Sequence, residues 1–211
     1  MPVMASLNRA LTRFGLPDDL GGVFVNLLLR LLLIVFTIDS LINAGDERFA
    51  GKALGPRNLV ILFGFAMLFP VLFHLTKQWK QYPWWFDATY LSIFFLDMAG
   101  NSVNAYNSRP GFDLLPHFYG PGALAVVLMG AFAVGPLAAA GFATMLHTLL
   151  EVQEIYGDQF LGTKNVRDLM DTANDLMVGI VGATLFVLVY KGTEWYQRKR
   201  AHPKRVRQRR S

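Results

Sequence analysis

The sequence predicts an all-α fold, a polytopic transmembrane helix bundle of about six spans with both termini in the cytoplasm. Three observations predict it. The 211-residue chain is 53% hydrophobic and only 17% charged, a composition outside the range of ordinary soluble domains. Its apolar residues gather into windows near the ~20 residues that a helix needs to cross a bilayer. Its cations are shared unevenly between alternate connecting segments, the pattern that orients membrane helices. The chain has no Cys, which excludes disulfides and thiolate metal sites, so any metal here needs His and carboxylate ligands.

Taken in order, residues 1–20 form an N-terminal interfacial segment, because "VMASLNRALTRFGL" has amphipathic spacing. Residues 21–192 form the bundle, with spans near 22–44, 57–75, 88–107, 113–134, 137–156 and 170–191. A cleaved signal peptide ending near "LINAG" competes for the first window, but Arg30 and Asp39 fit such a segment poorly. The third and fifth windows contain polar residues, and the joint "AFAVGP" between the fourth and fifth is very short. "LLPHFYGPG" predicts a bent start to the fourth helix. Gly179 and Gly182 in "GIVGA" predict close packing of the sixth. Residues 193–211 form a basic cytoplasmic tail: nine of the 20 Lys and Arg lie between Lys191 and Arg210. A polybasic segment directly after an apolar span predicts anionic lipid headgroups as its partner, rather than nucleic acid.

With the N-terminus inside, Arg9, Arg13, Lys77, Lys80 and the nine tail cations are cytoplasmic. Arg48, Lys52, Arg57, Arg109, Lys164 and Arg167 are outside, and Arg30 lies within a span. All four Trp (Trp79, Trp84, Trp85, Trp195) then fall at the cytoplasmic interface, where amphipathic rings are favoured.

This orientation carries Asp39, Asp97, Asn101, Asn104, Asp113, His117, Glu151, Glu154, Asp168, Asp171 and Asp175 to the outer half of the membrane. Residues three, four or seven apart share a helix face, so Asp168, Asp171 and Asp175 fall within an arc of about 60°. His147, Glu151 and Glu154 align in the same way. Asp113 and Asp168 lie at helix starts, where capping is an equal alternative to a site role. Glu151 and Glu154 approach a helix C-terminus, which disfavours negative charge, so they need a cation, a proton or a donor. Several acids in one apolar layer repel unless some are protonated or a divalent cation sits among them. The expected metal ligands are Glu151, Glu154, Asp171, Asp175 and His147, holding zinc, iron or manganese in the manner of metal-binding bundles. His117 is the expected ligand or acid/base, with Asp113 or Asp168 orienting it. His74 and His202 map to the other side.

The order "FDLLPHF", "EVQE", "LGT" and "DLMDTANDLMVGIVGA" resembles the bacterial YjdF-like inner-membrane proteins, a family of unknown function. The resemblance covers about the C-terminal half and rests on Asp113, His117, Phe118, Glu151, Glu154, Leu161, Gly162, Thr163, Asp168, Asp171, Thr172 and Asp175. The spacing from "LGT" to Asp168 is longer here than in the family pattern. A looser similarity to VanZ-like proteins, linked to glycopeptide tolerance, implies envelope lipids or cell-wall precursors as substrates.

Three functions suit such a layer. One is a metal-dependent hydrolase or transferase acting on an envelope lipid or lipid-linked group. Ser102 and Thr172 are the only hydroxyls near the layer and neither lies in a nucleophile motif, so a metal that activates water is the better expectation. The second is an ion- or proton-coupled transporter, which requires polar residues continuing towards the cytoplasm, with Arg30 as the main candidate. The third is a non-catalytic polar layer that locks the helices together.

Overall fold

The computed structural model describes residues 19–78 and 81–201. The N-terminal interfacial segment up to residue 18, Trp79, Lys80, His202 and the distal basic tail lie outside the described residues. Among those described there is no strand, and the helices run in the order α1 (Leu20–Ile42), α2 (Leu54–Phe63), α3 (Leu68–Leu75), α4 (Trp84–Ser102), α5 (Ala105–Ser108), α6 (Leu114–Phe132), α7 (Pro136–Leu161) and α8 (Leu169–Ala201).

Local chemistry sets the helix boundaries. The Asp19 carboxylate accepts the Gly22 N–H at 2.9 Å and starts α1, satisfying a donor that has no partner within the helix. The predicted second span is broken: a 3₁₀ turn, Phe65–Met67, separates α2 from α3. Pro70 has no N–H, so the carbonyl of Ala66, four residues earlier, loses its helical donor. Arg30 replaces it, donating from Nη1 to the Ala66 carbonyl at 2.6 Å. Asn104 adopts left-handed backbone, with φ of 58°, and ends the predicted third span early. The joint between α6 and α7 is as short as predicted, with Ala133 left-handed and Pro136 opening α7. Gly162, with φ of +68°, closes α7 at Leu161, a conformation that costs glycine little. Helix α8 runs past residue 192 to Ala201, so the first part of the basic tail is helical.

Four segments, Leu20–Ile42, Leu54–Leu75, Leu114–Phe132 and Leu169–Arg200, are long and apolar enough to cross a bilayer and point to a membrane protein. The predicted third and fifth spans, α4 and α7, are helical but less apolar, because they carry Asp87, Asp97, Asn101, His147, Glu151 and Glu154. The distribution of side chains agrees with a lipid environment. Leu27, Leu31, Val71, Leu149 and Leu188 are exposed, whereas Asn26, Asp87, Asn101, His147, Glu151 and Asp175 are buried. In a hydrocarbon solvent, polar groups turn inwards towards one another.

Helix α6 is central, packing on α4, α7 and α8, while α1 packs on α2 and α4. The approach of α8 to α6 needs glycine: a methyl group on Gly182 would lie 1.9 Å from the Phe118 carbonyl oxygen. Small residues at such a contact let backbones pack without a hydrophobic driving force. Ala123, Ala125, Ala139, Ala143 and Ala183 extend the same economy of volume through the core.

At the N-terminal ends of α1 and α4, Asp87 is fully buried. Its Oδ2 accepts from Arg30 Nη2 at 2.6 Å, from Asn26 Nδ2 at 2.8 Å and from the Tyr82 hydroxyl. This network ties α1 to α4 and, through Ala66, to the break between α2 and α3. Removing one partner of a buried ion pair costs about 3–5 kcal/mol, because the other charge is left uncompensated. Asp87→Leu is therefore expected to lower the thermal midpoint in detergent markedly, and Arg30→Met with Asp87→Leu to lower it less. Equal loss in both would mean that the pair does not hold these helices.

Candidate metal centre

The opposite ends of α6, α7 and α8 bring the C-terminal sequence motifs together. His117 lies one turn into α6, His147 and Glu151 one turn apart on α7, and Asp175 on α8. His117 Nδ1 is 2.9 Å from His147 Nε2 and 3.0 Å from Glu151 Oε1, and His147 Nε2 is 3.5 Å from Glu151 Oε1. Although close, Glu151 Oε1 makes no aligned hydrogen bond among the described residues. The two imidazole nitrogens are within hydrogen-bond reach of each other, and the three donor atoms lie within 3.5 Å of one another. For zinc–nitrogen bonds of ~2.0–2.1 Å, a tetrahedron has an edge of about 3.3 Å, and the three observed separations bracket it.

The other imidazole nitrogen of His117 faces carboxylates. His117 Nε2 lies 3.4 Å from Asp113 Oδ1 and 3.9 Å from Asp175 Oδ2. A ligating histidine commonly turns its second nitrogen to a carboxylate, which fixes the tautomer and the ring plane. Two groups, His117 with His147 and Glu151, and His117 with Asp113 and Asp175, each offer donor atoms within 4.8 Å of one another and can hold a metal ion. Both Asp175 Oδ1 and Thr172 Oγ1 are buried without a hydrogen-bond partner among the described residues.

The remaining predicted residues take other places. Asp168 accepts the N–H groups of Met170 at 2.8 Å and Asp171 at 3.0 Å. It caps α8, the alternative weighed for it, and among the described residues no hydrogen bond or ion pair joins it to His117. Asp171 pairs with Arg167 Nε at 3.3 Å and accepts the Arg167 N–H at 3.0 Å. Glu154 is half-buried beside the centre and interacts electrostatically with Glu151, His117 and Arg57, outside both three-residue groups. The polar layer itself is divided: Asp39 accepts from Ser102 Oγ at 2.9 Å and pairs with Arg48 at 3.3 Å. Asp97 pairs with Arg57 and accepts from the Tyr106 hydroxyl at 2.9 Å.

Arg167 is the principal residue that the sequence reading missed. Counted only as an outer-loop charge, it bonds Asp113 on α6 as well as Asp171 on α8. Its place one residue before an Asp-rich helix start, with acids four residues on, is the signal that was available. Asp158 was missed too. Its carboxylate accepts from Thr163 Oγ1 at 2.6 Å and from the N–H groups of Asn165 and Val166 at 2.9 and 2.8 Å. That gives "LGT" a physical role: Gly162 turns the chain and Thr163 returns it to α7, which positions the loop carrying Arg167.

No family model matches the chain, and no curated protein or solved structure matches it. The functional reading rests on the geometry.

Gly179 supplies the seat for His147, since a methyl group there would meet Nδ1 at 2.4 Å. Gly179→Ala is expected to destabilise the protein by about 1–3 kcal/mol through overpacking. Gly192, with nothing within 4 Å of its added methyl, provides the control: Gly192→Ala should be neutral or stabilising by up to about 1 kcal/mol. Thermal midpoints of the two variants in detergent compare them directly. Indistinguishable midpoints would remove the steric role given to Gly179.

Proposed function

We propose that the chain is a metal-dependent hydrolase or transferase of the bacterial inner membrane, with six spans and both termini cytoplasmic, acting from the outer face on an envelope lipid or lipid-linked substrate. The observation that carries this reading is the convergence of His117 Nδ1, His147 Nε2 and Glu151 Oε1 at 2.9–3.5 Å. Two imidazoles and one carboxylate form the donor set of catalytic zinc sites and of the facial triad of iron, both of which keep coordination positions open. Manganese also accepts such ligands, though oxygen donors suit it better. A metal here supplies Lewis-acid polarisation of a carbonyl or phosphoryl oxygen and activation of water.

The protein's own groups have distinct roles. Asp113 orients His117 through Nε2 and is itself held by Arg167. Asp175 places a buried carboxylate on the same side, where it can take a proton from His117 or from water. Glu154 and Asp171 flank the centre and set its field without belonging to the three-atom set. The resemblance to YjdF-like proteins is consistent with this assignment, because the residues that carry it include Asp113, His117, Glu151 and Asp175.

A second reading is supported by one further observation: the two nitrogens of His117 face Glu151, Asp113 and Asp175, so a protonated His117 would be stabilised without metal. That arrangement suits proton coupling or a structural layer. The Arg30–Asp87 network adds Asp87, Asn26 and Tyr82 to the cytoplasmic-side polar residues, of which Arg30 was the main candidate expected.

Elemental analysis of protein purified without chelator separates the readings. The metal-centre reading predicts about one zinc, iron or manganese per chain, lost in Glu151→Gln and in His147→Ala but kept in Asp171→Asn. Metal-free wild type after those ions are added back would favour the proton-holding alternative.

A further inference from the structure

The cations at the mouth of the site bear on what enters it. The backbone N–H of Lys164 donates to the Gly51 carbonyl at 2.8 Å, clamping the α1–α2 loop to the α7–α8 loop. Gly51 meets this contact with φ of +76°, a conformation that other residues rarely adopt. The clamp brings Lys52, one residue later, towards the loop of Arg167. Lys52 interacts electrostatically with Arg57, Arg167, Asp97 and Asp113, so its amine lies in the same charged layer as the Arg167–Asp113 pair beside His117.

The rim cations differ in how they are matched. Arg57 is paired with Asp97, and Arg167 with Asp113 and Asp171. Lys52 Nζ donates to the neutral Asn101 Oδ1 at 3.2 Å and lies 5.0 Å from the centre of the Tyr106 ring. Among the described residues, no carboxylate lies within ion-pair distance of it. Burial holds its amine below the ordinary lysine value, with Arg57 and Arg167 acting in the same direction against Asp97 and Asp113. A half-buried ammonium in the field of two guanidinium groups is costly unless an anion meets it.

We infer that Lys52 recognises a phosphate group on the substrate, with Arg57 and Arg167 beside it and the phosphoryl oxygens directed at the His117, His147 and Glu151 centre. Cations approaching from separate elements, Lys52 and Arg167 from two loops and Arg57 from the first turn of α2, suit a tetrahedral anion, whereas a planar carboxylate is better met by one guanidinium fork. The acids below the rim repel an anion, and the rim charges offset that repulsion. The inference deepens the metal-centre reading and rests on it.

The test is calorimetric titration of full-length, metal-loaded protein in detergent with inorganic phosphate. Saturable binding by the wild type, weakened about tenfold or more in Lys52→Met and restored in Lys52→Arg, at equal metal content, supports the inference. Equal binding by wild type and Lys52→Met, or none by metal-loaded wild type, overturns it. Metal content reports separately on the centre: a wild type that cannot be loaded refutes the metal reading, and the same titration of the metal-free protein then decides Lys52 alone, Lys52-dependent phosphate binding supporting its role and no binding overturning it. Competition by phosphatidic acid vesicles, but not by phosphatidylcholine vesicles, would identify the phosphate as a lipid headgroup. Lysine-dependent binding of phosphate without such competition would identify a soluble phosphate.

Discussion

Helix α8 lies so close to α6 that no side chain can stand at Gly182, where an added methyl would overlap the Phe118 carbonyl. That contact sets the depth and register of α8 against the first turns of α6, and so the distance between Asp175 and His117. Gly179, one turn earlier on α8, seats the His147 ring by the same absence of a side chain. Apolar surface gives helices in lipid little reason to associate; shape and internal polar contacts supply it. A glycine stripe followed inwards from an acidic helix start is therefore one device. It permits the approach, and the approach lets polar groups on three helices satisfy one another.

The charge problem is solved differently at the two ends of the bundle. Towards the N-terminal ends of α1 and α4, Asp87 is closed off by Arg30, Asn26 and Tyr82, and the break at Pro70 adds a carbonyl for Arg30. Three donors meet Asp87 through Oδ2, while its Oδ1 is buried without a hydrogen-bond partner among the described residues; an ion pair of this kind fixes helix positions. At the other end, Arg48 and Arg167 from loops and Arg57 from the first turn of α2 pair with Asp39, Asp113, Asp171 and Asp97. His117, His147, Glu151 and Asp175 remain, facing one another with several atoms lacking aligned hydrogen bonds among the described residues. The functional reading falls on the second because Asp87 already has a guanidinium as its cation, whereas at the second two imidazoles and three carboxylates gather in groups that can hold a metal ion.

Much of this was legible in the sequence, for identifiable reasons. Helix positions follow from apolar windows, and the alignment of His147 with Glu151 follows from a spacing of four. Convergence of His117 on that pair could not be read, because it depends on inter-helix register, which the glycine contacts set and hydropathy does not record. The expectation that several acids in one layer repel one another unless protonated or metal-bound overlooked the arginines. Their reach depends on loop geometry fixed locally, by left-handed Gly51 and Gly162 and by the Asp158 cap on Asn165 and Val166. Asp87 escaped notice because the third window was drawn from residue 88, while the helix begins at Trp84 and buries the acid in its first turn. Asp168, Asp171 and Asp175 were expected on one face; Asp168 precedes α8, and of the three only Asp175 comes within ion-pair distance of His117. The other two serve the helix start and Arg167.

The central claim is that three side chains on α6 and α7 hold one metal ion. X-ray absorption at the metal edge of zinc-loaded protein tests it most directly, because imidazole leaves multiple-scattering features that oxygen ligands lack. The account predicts two imidazole nitrogens and one carboxylate oxygen at about 2.0–2.2 Å, with one imidazole contribution lost in His117→Ala. A spectrum with oxygen ligands alone, or one unchanged in His117→Ala, would contradict it.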